Sequence, residues 1–386
     1  MRNNNQRDFL CLSHLRWGFV YQRPQHLMSR FAREYRVFYI EEPFRSDEPT
    51  HYKEFIDADS GVHIIAPYIH NDVRAEELER EQRRLLDRVI REKEIGPEVL
   101  WYYTPMALGF SGHIKAPVVV YDCMDELSGF KDAPALLHDR EKELFRRASL
   151  VFTGGQSLFE AKRGQHQHIH AFPSSIEFEH FAGAREPQGD PADQAGIAHP
   201  RIGYCGVIDE RMDLALVDAV AEAHPEWQLI MLGPVVKIAP ESLPSRANIH
   251  WLGGKKYKEL PAYLAGWDAA MLPFAHNAST RFISPTKTPE YLAAGKPVVS
   301  TSIRDVVRPY GELALVHIAD SAEEFSAAID RALNTERGEW LPRVDAFLAR
   351  SSWDLTWRRM AALIGERSAT ASITPGNIIS AVGVTM

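Results

Sequence analysis

The chain has 386 residues, of which 45% are hydrophobic and 25% are charged. This composition is typical of a soluble globular protein, and the length exceeds that of one ordinary core, so it predicts two domains. The 44 basic and 52 acidic residues give a formal net charge of -8. Because no block of Lys or Arg stands out, the sequence argues against nucleic acid as a partner.

Cysteine usage and hydropathy bear on where the protein works. Cys11, Cys123 and Cys205 lie far apart, each at the end of an apolar run. Such thiols are expected to be buried and reduced, and their spacing is not that of a metal site. No signal peptide is recognised before Phe9, and no apolar run approaches the length of a membrane span. The sequence therefore predicts a cytoplasmic protein without a metal, which is still free to contact the inner face of a membrane.

The first half of the chain alternates apolar runs with amphipathic segments. Strands are predicted at 8–13, 36–40, 99–103, 117–122 and 148–155, and helices at 23–34, 76–93 and 157–162, the last capped by Ser157. A strand, a glycine-containing loop, a helix and a strand open a doubly wound sheet, whose ligands sit beyond the carboxyl ends of the strands. Gly18 would let the first loop approach a ligand, and Arg23 and His26 would face the same opening. The alternative is a tight turn followed by polar residues on a helix surface.

An acidic cluster follows the strand at 117–122. Asp122, Asp125 and Glu126 lie within five residues of one another. Neighbouring carboxylates repel and tend to raise at least one pKa, which suits a general base. The alternative is that an aspartate caps the next helix and that Glu126 lies on the surface. If one residue is catalytic, Asp125 is favoured, since Asp122 fits an anchor at the strand end.

A second series of elements follows a polar linker at 183–200. Strands are predicted at 201–207, 227–235, 248–254, 269–273, 297–300 and 313–318, and helices at 260–264, 322–334 and 339–349. Between two of these strands lies a short helix that Thr286 could cap and that Gly295 would end. Lys287 and Glu290 share one face of that helix. A cation at the start of this helix and a carboxylate one turn further along would suit a ligand in which a diphosphate is followed by a diol. The alternative is that the two residues form an ion pair on the surface.

The stretch 279–300 resembles the donor-site signature of GT-B glycosyltransferases related to family 4. The resemblance implies that Thr286 and Lys287 hold the diphosphate of a nucleotide sugar and that Glu290 binds the ribose. The family motif has a second glutamate eight residues earlier, where this chain has Phe282. After the glycine at 206 the relatives carry an Arg and then a Lys, and here Val207 and Arg211 stand in those positions. Arg211 would keep half of that diphosphate clamp, unless it forms a salt bridge with Asp209 or Asp213.

Other parts of the chain resemble the same family. The loops that carry Gly233, Gly254 and Tyr257 stand where relatives hold the nucleotide base, Tyr257 by stacking. An Asp or His of the first domain approaches the acceptor hydroxyl or the reacting sugar in relatives, which makes Asp125, Asp122 and His26 the catalytic candidates. The segment 352–366 resembles the last GT-B helix, which crosses back onto the first domain.

The resemblance implies an α/β protein with the GT-B fold, in which two doubly wound Rossmann-like domains face each other across a cleft. The domains would be 1–182 and 201–351, joined by the linker 183–200 and followed by the crossover helix 352–366 and a mobile tail 367–386. The implied function is transfer of a sugar from a nucleotide diphosphate sugar, with UDP favoured, to a hydroxyl of a cell-envelope glycan or glycolipid, without a metal or other cofactor.

Two other functions stay open at this point. Phe282 and Val207 depart from the family pattern and favour a non-catalytic scaffold of a polysaccharide assembly pathway. A nucleotide-sugar epimerase or hydrolase shares the fold. The stereochemical course is open as well, since relatives of family 4 retain the anomeric configuration whereas an Asp125 base fits inversion.

Overall fold

The computed structural model of the protein describes residues 7–373. Its first sheet has nine strands: β1 (Asp8–Leu12), β2 (Arg36–Ile40), β3 (Phe44–Ser46), β4 (His51–Ile56), β5 (His63–His70), β6 (Pro97–Tyr102), β7 (Val118–Cys123), β8 (Leu150–Thr153) and β9 (Ile169–Ala171). The helices of this half are α1 (Arg23–Phe31), α2 (Leu78–Glu92), α3 (Leu108–Ser111), α4 (Leu137–Arg147), α5 (Gln156–Lys162) and, in the connection to the second half, α6 (Phe178–Ala182).

The second sheet has six strands: β10 (Arg201–Cys205), β11 (Gln228–Leu232), β12 (Ile249–Gly253), β13 (Ala269–Leu272), β14 (Val298–Ser300) and β15 (Val316–Ile318). Its helices are α7 (Leu214–Ala223), α8 (Leu260–Ala265), α9 (Lys287–Ala293), α10 (Arg304–Val306), α11 (Ala322–Leu333), α12 (Arg337–Leu348) and α13 (Trp353–Ile373). Short 3-10 turns lie at Ala75–Glu77, Pro105–Ala107, Leu127–Gly129, Gly183–Arg185, Pro240–Ser242 and Tyr257–Glu259.

Both sheets are doubly wound. The first has the order β3-β5-β2-β1-β6-β7-β8-β9, and only β4, which pairs with β5, is antiparallel to its neighbour. The second is parallel throughout, in the order β12-β11-β10-β13-β14-β15. Strand order therefore reverses next to β1 in the first sheet and next to β10 in the second. Ligands of such sheets bind outside the carboxyl ends of the strands at these two points.

The hydrophobic core shows how the two halves are joined. One cluster of buried side chains fills the second half, and two clusters cover the opposite faces of the first sheet. The cluster around Phe9 and Trp101 includes Trp353, Trp357 and Met360 of α13. The last helix therefore packs on the first domain, as predicted. Together the two sheets and this helix confirm the predicted fold class of two Rossmann-like domains.

The local predictions differ from the structure at several points. The antiparallel strand β4 and its partner β5 were not predicted, and neither was α7. Ser157 does not begin α5, because Gly155 occupies the capping position. The crossover helix does not end at 366 but continues to Ile373, so the predicted mobile tail cannot start at 367. Residues 374–386 of that tail lie outside the described residues. Among the helices within 7–373, none combines the length and apolar character that crossing a membrane requires.

Candidate active site

A cavity lies between the two domains at the carboxyl ends of their central strands. Its volume is about 130 Å³, which is room for several water molecules or part of a ligand. The first domain contributes Val20, Tyr21, Gln22, Arg23, Met124, Asp125, Gly154 and Ser174. The second domain contributes Tyr204, Gly206, Val207, Arg211, Phe274, Ile283, Ser284, Pro285, Thr286 and Lys287.

Lys287 and Glu290 form a buried ion pair on the second-domain side. Lys287 Nζ lies 2.6 Å from Glu290 Oε2, and the side chains are 13% and 6% exposed. Burial raises the pKa of Glu290, and the nearby ammonium of Lys287 partly offsets this rise. Burial alone would lower the pKa of Lys287, but Glu290 more than offsets it and the pKa is raised. The pair is therefore not the surface pair of the alternative interpretation, and Lys287 presents its charge to the cavity.

The helix that carries this pair begins and ends close to the predicted residues. Thr286 occupies the position before α9, but its side chain makes no capping hydrogen bond, so that part of the prediction is wrong. The hydroxyl instead helps to lower the pKa of the Glu290 carboxyl through a hydrogen bond. Gly295 has a φ of +70°, the left-handed conformation expected just after a helix. The chain then enters β14, while Lys287 at the start of α9 lines the cavity.

Arg211 lines the cavity while it is paired with Asp209. The Asp209 carboxylate accepts hydrogen bonds from Arg211 Nε at 3.0 and 3.1 Å and from Nη2 at 2.7 Å. Asp213, the other predicted partner, instead caps α7 by accepting from the Leu216 amide at 2.9 Å. The Nη1 amine of Arg211 takes no part in the bonds to Asp209. The salt bridge and a role toward an anionic ligand are therefore compatible in this geometry.

The acidic cluster divides into three different environments. Asp122 is fully buried and accepts from Arg23 Nε and Nη2 at 2.9 and 2.8 Å. Burial raises the Asp122 pKa and Arg23 opposes this rise. Glu126 pairs with Lys162 at 2.8 Å. Asp122 does not line the cavity, so the structure gives it the anchoring role and not the catalytic one.

Asp125 is the carboxyl of this cluster that faces the cavity. Burial raises its pKa to about 6, although the positive charges of Arg211 and Arg23 act in the opposite direction. A carboxylate that holds a proton this tightly can accept one from a hydroxyl near neutral pH more readily than an ordinary aspartate. The structure therefore places Asp125 opposite Lys287 across the cavity, as a candidate base.

His26 lies at the junction of the domains and not in the cavity. Its ring stacks on Trp353 with centroids 4.6 Å apart and an interplanar angle of 10°. Its Nδ1 is 3.4 Å from Glu177 Oε1. Burial lowers its pKa to about 4, which Glu177 partly opposes. The geometry supports a packing role for His26 and does not bring it to the predicted site.

The residues predicted around the nucleotide base do not line the cavity either. Tyr257 stacks on His180 at 4.4 Å and on Tyr21 at 4.5 Å, and its hydroxyl donates to Glu177 Oε2 at 3.0 Å. Its ring is therefore occupied by protein packing and is not presented for base stacking. Among the predicted glycines, Gly18 is exposed with open space around it.

Gly233 and Gly254 lie in two loops that approach each other, and their role toward the base stays a prediction. Gly233 has a φ of +150°, and a Cβ there would lie 1.7 Å from the Gly206 carbonyl oxygen. Gly233 is thus required for the close approach of two strand-end loops. Around Gly254 the nearest atoms are those of Pro234, 3.8 Å from a Cβ. The left-handed residue of that loop is its neighbour Gly253, with a φ of +71°.

Three of the polar lining residues of the first domain were not predicted. Tyr21 and Gln22 directly precede α1, and Ser174 follows β9. All three lie beyond the carboxyl ends of strands, so the rule for doubly wound sheets could have identified them. In the described part of the chain, no three His, Cys, Asp or Glu side chains are grouped so that they could hold a metal ion. The absence of a metal from the reaction stays a prediction.

Known proteins resemble this chain in sequence and in structure. Residues 199–335 match the family described as "Glycosyl transferases group 1". A protein of Bacillus subtilis (strain 168), named as a teichuronic acid biosynthesis glycosyltransferase TuaH, is 23% identical over 284 residues, which are 69% of this chain and 71% of the relative.

Solved structures share the architecture over nearly the whole chain. A sucrose-phosphate synthase from Thermosynechococcus elongatus has a TM-score of 0.70 at 12% identity, and the superposition covers 95% of this chain and 100% of the synthase chain. A UDP-forming alpha,alpha-trehalose-phosphate synthase from Burkholderia vietnamiensis has a TM-score of 0.66 at 12% identity and covers 96% and 100%. The family match lies in the domain that holds the Lys287–Glu290 pair, and the fold extends over both domains. These comparisons therefore support a group 1 glycosyltransferase, and the solved structures show that the chain shares their two-domain GT-B fold.

Proposed function

We propose that the protein transfers a sugar from a UDP-sugar to a hydroxyl of a cell-envelope glycan or glycolipid. The observation that carries this proposal is the placement of the buried Lys287–Glu290 pair and Asp125 on opposite walls of one cavity. Donor-binding groups on one domain and a candidate base on the other are the arrangement that a transfer between two substrates requires.

The second-domain wall supplies the positive charge. Lys287 and Arg211 both line the cavity, and a leaving UDP develops negative charge on its diphosphate. Cations fixed before the reaction stabilise that charge without a bound metal, which is why we propose that no metal takes part. When the donor binds, Lys287 turns from Glu290 to the diphosphate and Glu290 accepts hydrogen bonds from the ribose hydroxyls.

The first-domain wall supplies the base. Asp125, with its pKa raised to about 6 by burial, takes the proton of the acceptor hydroxyl as that oxygen bonds to the anomeric carbon and UDP departs. Domain closure keeps water from competing with the acceptor. Direct attack of this kind inverts the anomeric centre, so the anomer of the product tests the role of Asp125 independently of the donor.

Relatives support the choice of substrates. One structural neighbour is described as UDP-forming, and another was solved with UDP-2-fluoro glucose. The sequence relative is named for the biosynthesis of teichuronic acid. A lipid-linked acceptor would require contact with the inner face of the membrane, which we include in the proposal as a peripheral contact.

The first experiment is a thermal titration of the purified protein with nucleotides and UDP-sugars. A ligand that binds only the folded state raises the melting temperature. Removal of Lys287 alone would leave the Glu290 carboxylate buried without a partner, at a cost of about 3–5 kcal/mol. The variant should therefore remove both charges, as Lys287→Met with Glu290→Gln. A matched control removes the Arg246–Asp218 pair of the same domain, as Arg246→Met with Asp218→Asn.

We expect UDP to raise the melting temperature of the wild type and of the control, and not that of the Lys287 and Glu290 variant. An undiminished shift in that variant would reject the assigned donor site. If no nucleotide shifts the wild type, the donor site is not functional and the protein is a scaffold. A UDP-sugar consumed without any acceptor would instead identify a hydrolase or an epimerase.

A further inference from the structure

The two domains touch along one side of the cavity, in a contact that we call the seam. It comprises Ala278, Phe282, Ser284 and Asp305 of the second domain and Gly129, Gly155, Ser157 and Ser174 of the first. Ser284 is followed directly by Pro285, Thr286 and Lys287, which line the cavity. The second-domain side of the seam therefore continues directly into residues that line the cavity.

Asp305 supplies a cap that the first domain lacks. The residue before α5 is Gly155, which has no side chain to cap the helix. The backbone amide of Ser157 in the first turn donates instead to Asp305 Oδ1 of the second domain, at 2.9 Å. Asp305 is only 7% exposed. An N-terminal amide that its own domain leaves unpaired is satisfied only when the domains are in contact.

Two glycines of the first domain make room for this contact. A Cβ at Gly155 would lie 2.3 Å from Asp305 Oδ2 and 2.9 Å from Ser284 Cβ. A Cβ at Gly129 would lie 2.6 Å from the carbonyl oxygen of Ala278. Gly155 has a φ of -159°, an extended conformation that any residue adopts. Its lack of a side chain therefore serves the approach of the second domain and not the backbone conformation.

Two further contacts belong to the seam, and the Arg304–Glu160 ion pair lies beside it. Ser174 Oγ donates to the Ser284 carbonyl oxygen at 2.7 Å. Phe282, at the position where the family motif has its first glutamate, packs against the hydrophobic cluster that covers one face of the first sheet. In this chain that position contacts the opposite domain, which explains in physical terms why an apolar residue stands there.

We propose that Asp305 is a positioning residue that holds the cavity closed, with Asp125 facing Lys287 and Arg211. The inference rests on the proposed function for its consequence in catalysis, but the closed contact itself can be measured without any substrate. Without the Asp305 carboxylate the first turn of α5 regains its amide partner from water only if the domains separate. The closed arrangement of the domains is then no longer favoured over the separated one. Asp125 is therefore not held at reacting distance from Lys287 and Arg211.

The test measures the distance between the domains. Nitroxide labels at Arg83→Cys on α2 and Ala223→Cys on α7 occupy exposed positions outside the seam, whereas the three native cysteines are buried. Pulsed electron spin resonance then gives the distance distribution in the unliganded protein. We expect one narrow population in the wild type and a broader, longer distribution in Asp305→Ala and in Gly155→Ala.

Two matched variants separate positioning from general damage. Asp305→Asn keeps an oxygen that accepts from the Ser157 amide and should retain the narrow distribution. Gly164→Ala adds the same methyl group at a glycine of the same domain with nothing within 4 Å, and should also behave as wild type. An unchanged distribution in both Asp305→Ala and Gly155→Ala would overturn the proposal, and so would a Gly164→Ala distribution as broad as theirs.

A binding and turnover measurement completes the design. UDP should still raise the melting temperature of Asp305→Ala, because the donor groups lie within the second domain, whereas kcat should fall at least tenfold with little change in the donor KM. Loss of the UDP shift together with kcat would show that Asp305 supports the fold of the donor site and would overturn the positioning role. If UDP fails to shift even the wild type, the proposed function fails, and the distance measurement still decides the role of the seam.

Discussion

Asp125→Asn should stabilise the protein at neutral pH while it removes the proposed base. Burial raises the Asp125 pKa from 3.8 to about 6, so the folded state holds this proton more tightly than the unfolded state does. Between about pH 4 and pH 6 the folded protein therefore loses stability as the pH rises. Above that window the charged carboxylate costs about 3 kcal/mol, because each tenfold difference in proton affinity between the folded and unfolded states is worth about 1.4 kcal/mol.

The asparagine variant has no such cost, so its advantage depends on pH. At pH 8 we expect a melting temperature higher than that of the wild type by about 6–12 °C, from about 2–4 °C per kcal/mol in a domain of this size. At pH 5 the gain should be roughly half as large, because the wild-type carboxyl is then mostly protonated in the folded state. Differential scanning calorimetry at the two pH values measures both gains. Equal gains, or a loss at pH 8, would refute the raised pKa of Asp125.

Three further predictions concern the same cavity and its surroundings. The value of kcat/KM should fall as the pH drops below about 6 in the wild type, since Asp125 must be unprotonated to accept a proton; a profile that is flat down to pH 5 would exclude it as the base. His26→Phe keeps an aromatic ring on Trp353 and should retain turnover in a coupled UDP-release assay. His26→Ala loses that ring and should lower the free energy of unfolding by about 2 kcal/mol. Loss of turnover in a stably folded His26→Phe variant would restore a catalytic role for His26. Arg211→Lys loses the planar fork that serves Asp209 and an anion together, and should weaken UDP binding about tenfold in a calorimetric titration; unchanged affinity would contradict the clamp.

The fold and the donor pair could be predicted because their signals are local. Strands β10, β13 and β14 are short apolar runs, and α9 lies between two of them with a glycine at its end. Two side chains three residues apart on one helix must share a face whatever the rest of the protein does. The placement of Lys287 beside Glu290 therefore follows from the sequence alone.

The roles of neighbouring acidic residues could not be predicted in the same way. Asp122 and Asp125 are three residues apart, and the sequence only suggested that the former is an anchor. Their difference depends on Arg23, which lies 99 residues before Asp122 and reaches it from α1. Partners so distant in sequence are fixed by packing, and the same is true of Tyr257, whose stacking on Tyr21 and His180 removes it from the predicted base site.

The antiparallel strand β4 illustrates a third kind of limit. Its sequence His51–Ile56 mixes charged and apolar residues, and Phe55 and Ile56 are more than half exposed. An edge strand with exposed apolar residues does not show the alternation of buried and polar positions on which strand prediction depends. Only its pairing with β5 defines it.

Each of the three cations that line the cavity in the described structure already has a carboxylate partner, and the freedom that its side chain keeps decides its role. Arg23 gives Nε and Nη2 to Asp122 and Nη1 to the Phe172 carbonyl, so all three nitrogens of this buried side chain are held in place and it is structural. Lys287 gives one hydrogen bond to Glu290 and has three donors. In the proposed function, donor binding is therefore an exchange, in which Lys287 leaves Glu290 for the diphosphate and Glu290 turns to the ribose.

This exchange predicts opposite effects of Glu290→Gln on two ligands. The substitution weakens the hold on Lys287 and so should strengthen the binding of inorganic pyrophosphate, which has no ribose, by a few fold. The same change should weaken UDP by about tenfold, because a neutral amide accepts more weakly from the ribose hydroxyls than a carboxylate does. Calorimetric titration of wild type and variant with both ligands measures the ratio. If both affinities fall together, Glu290 supports the site only by placing Lys287, and the exchange does not occur.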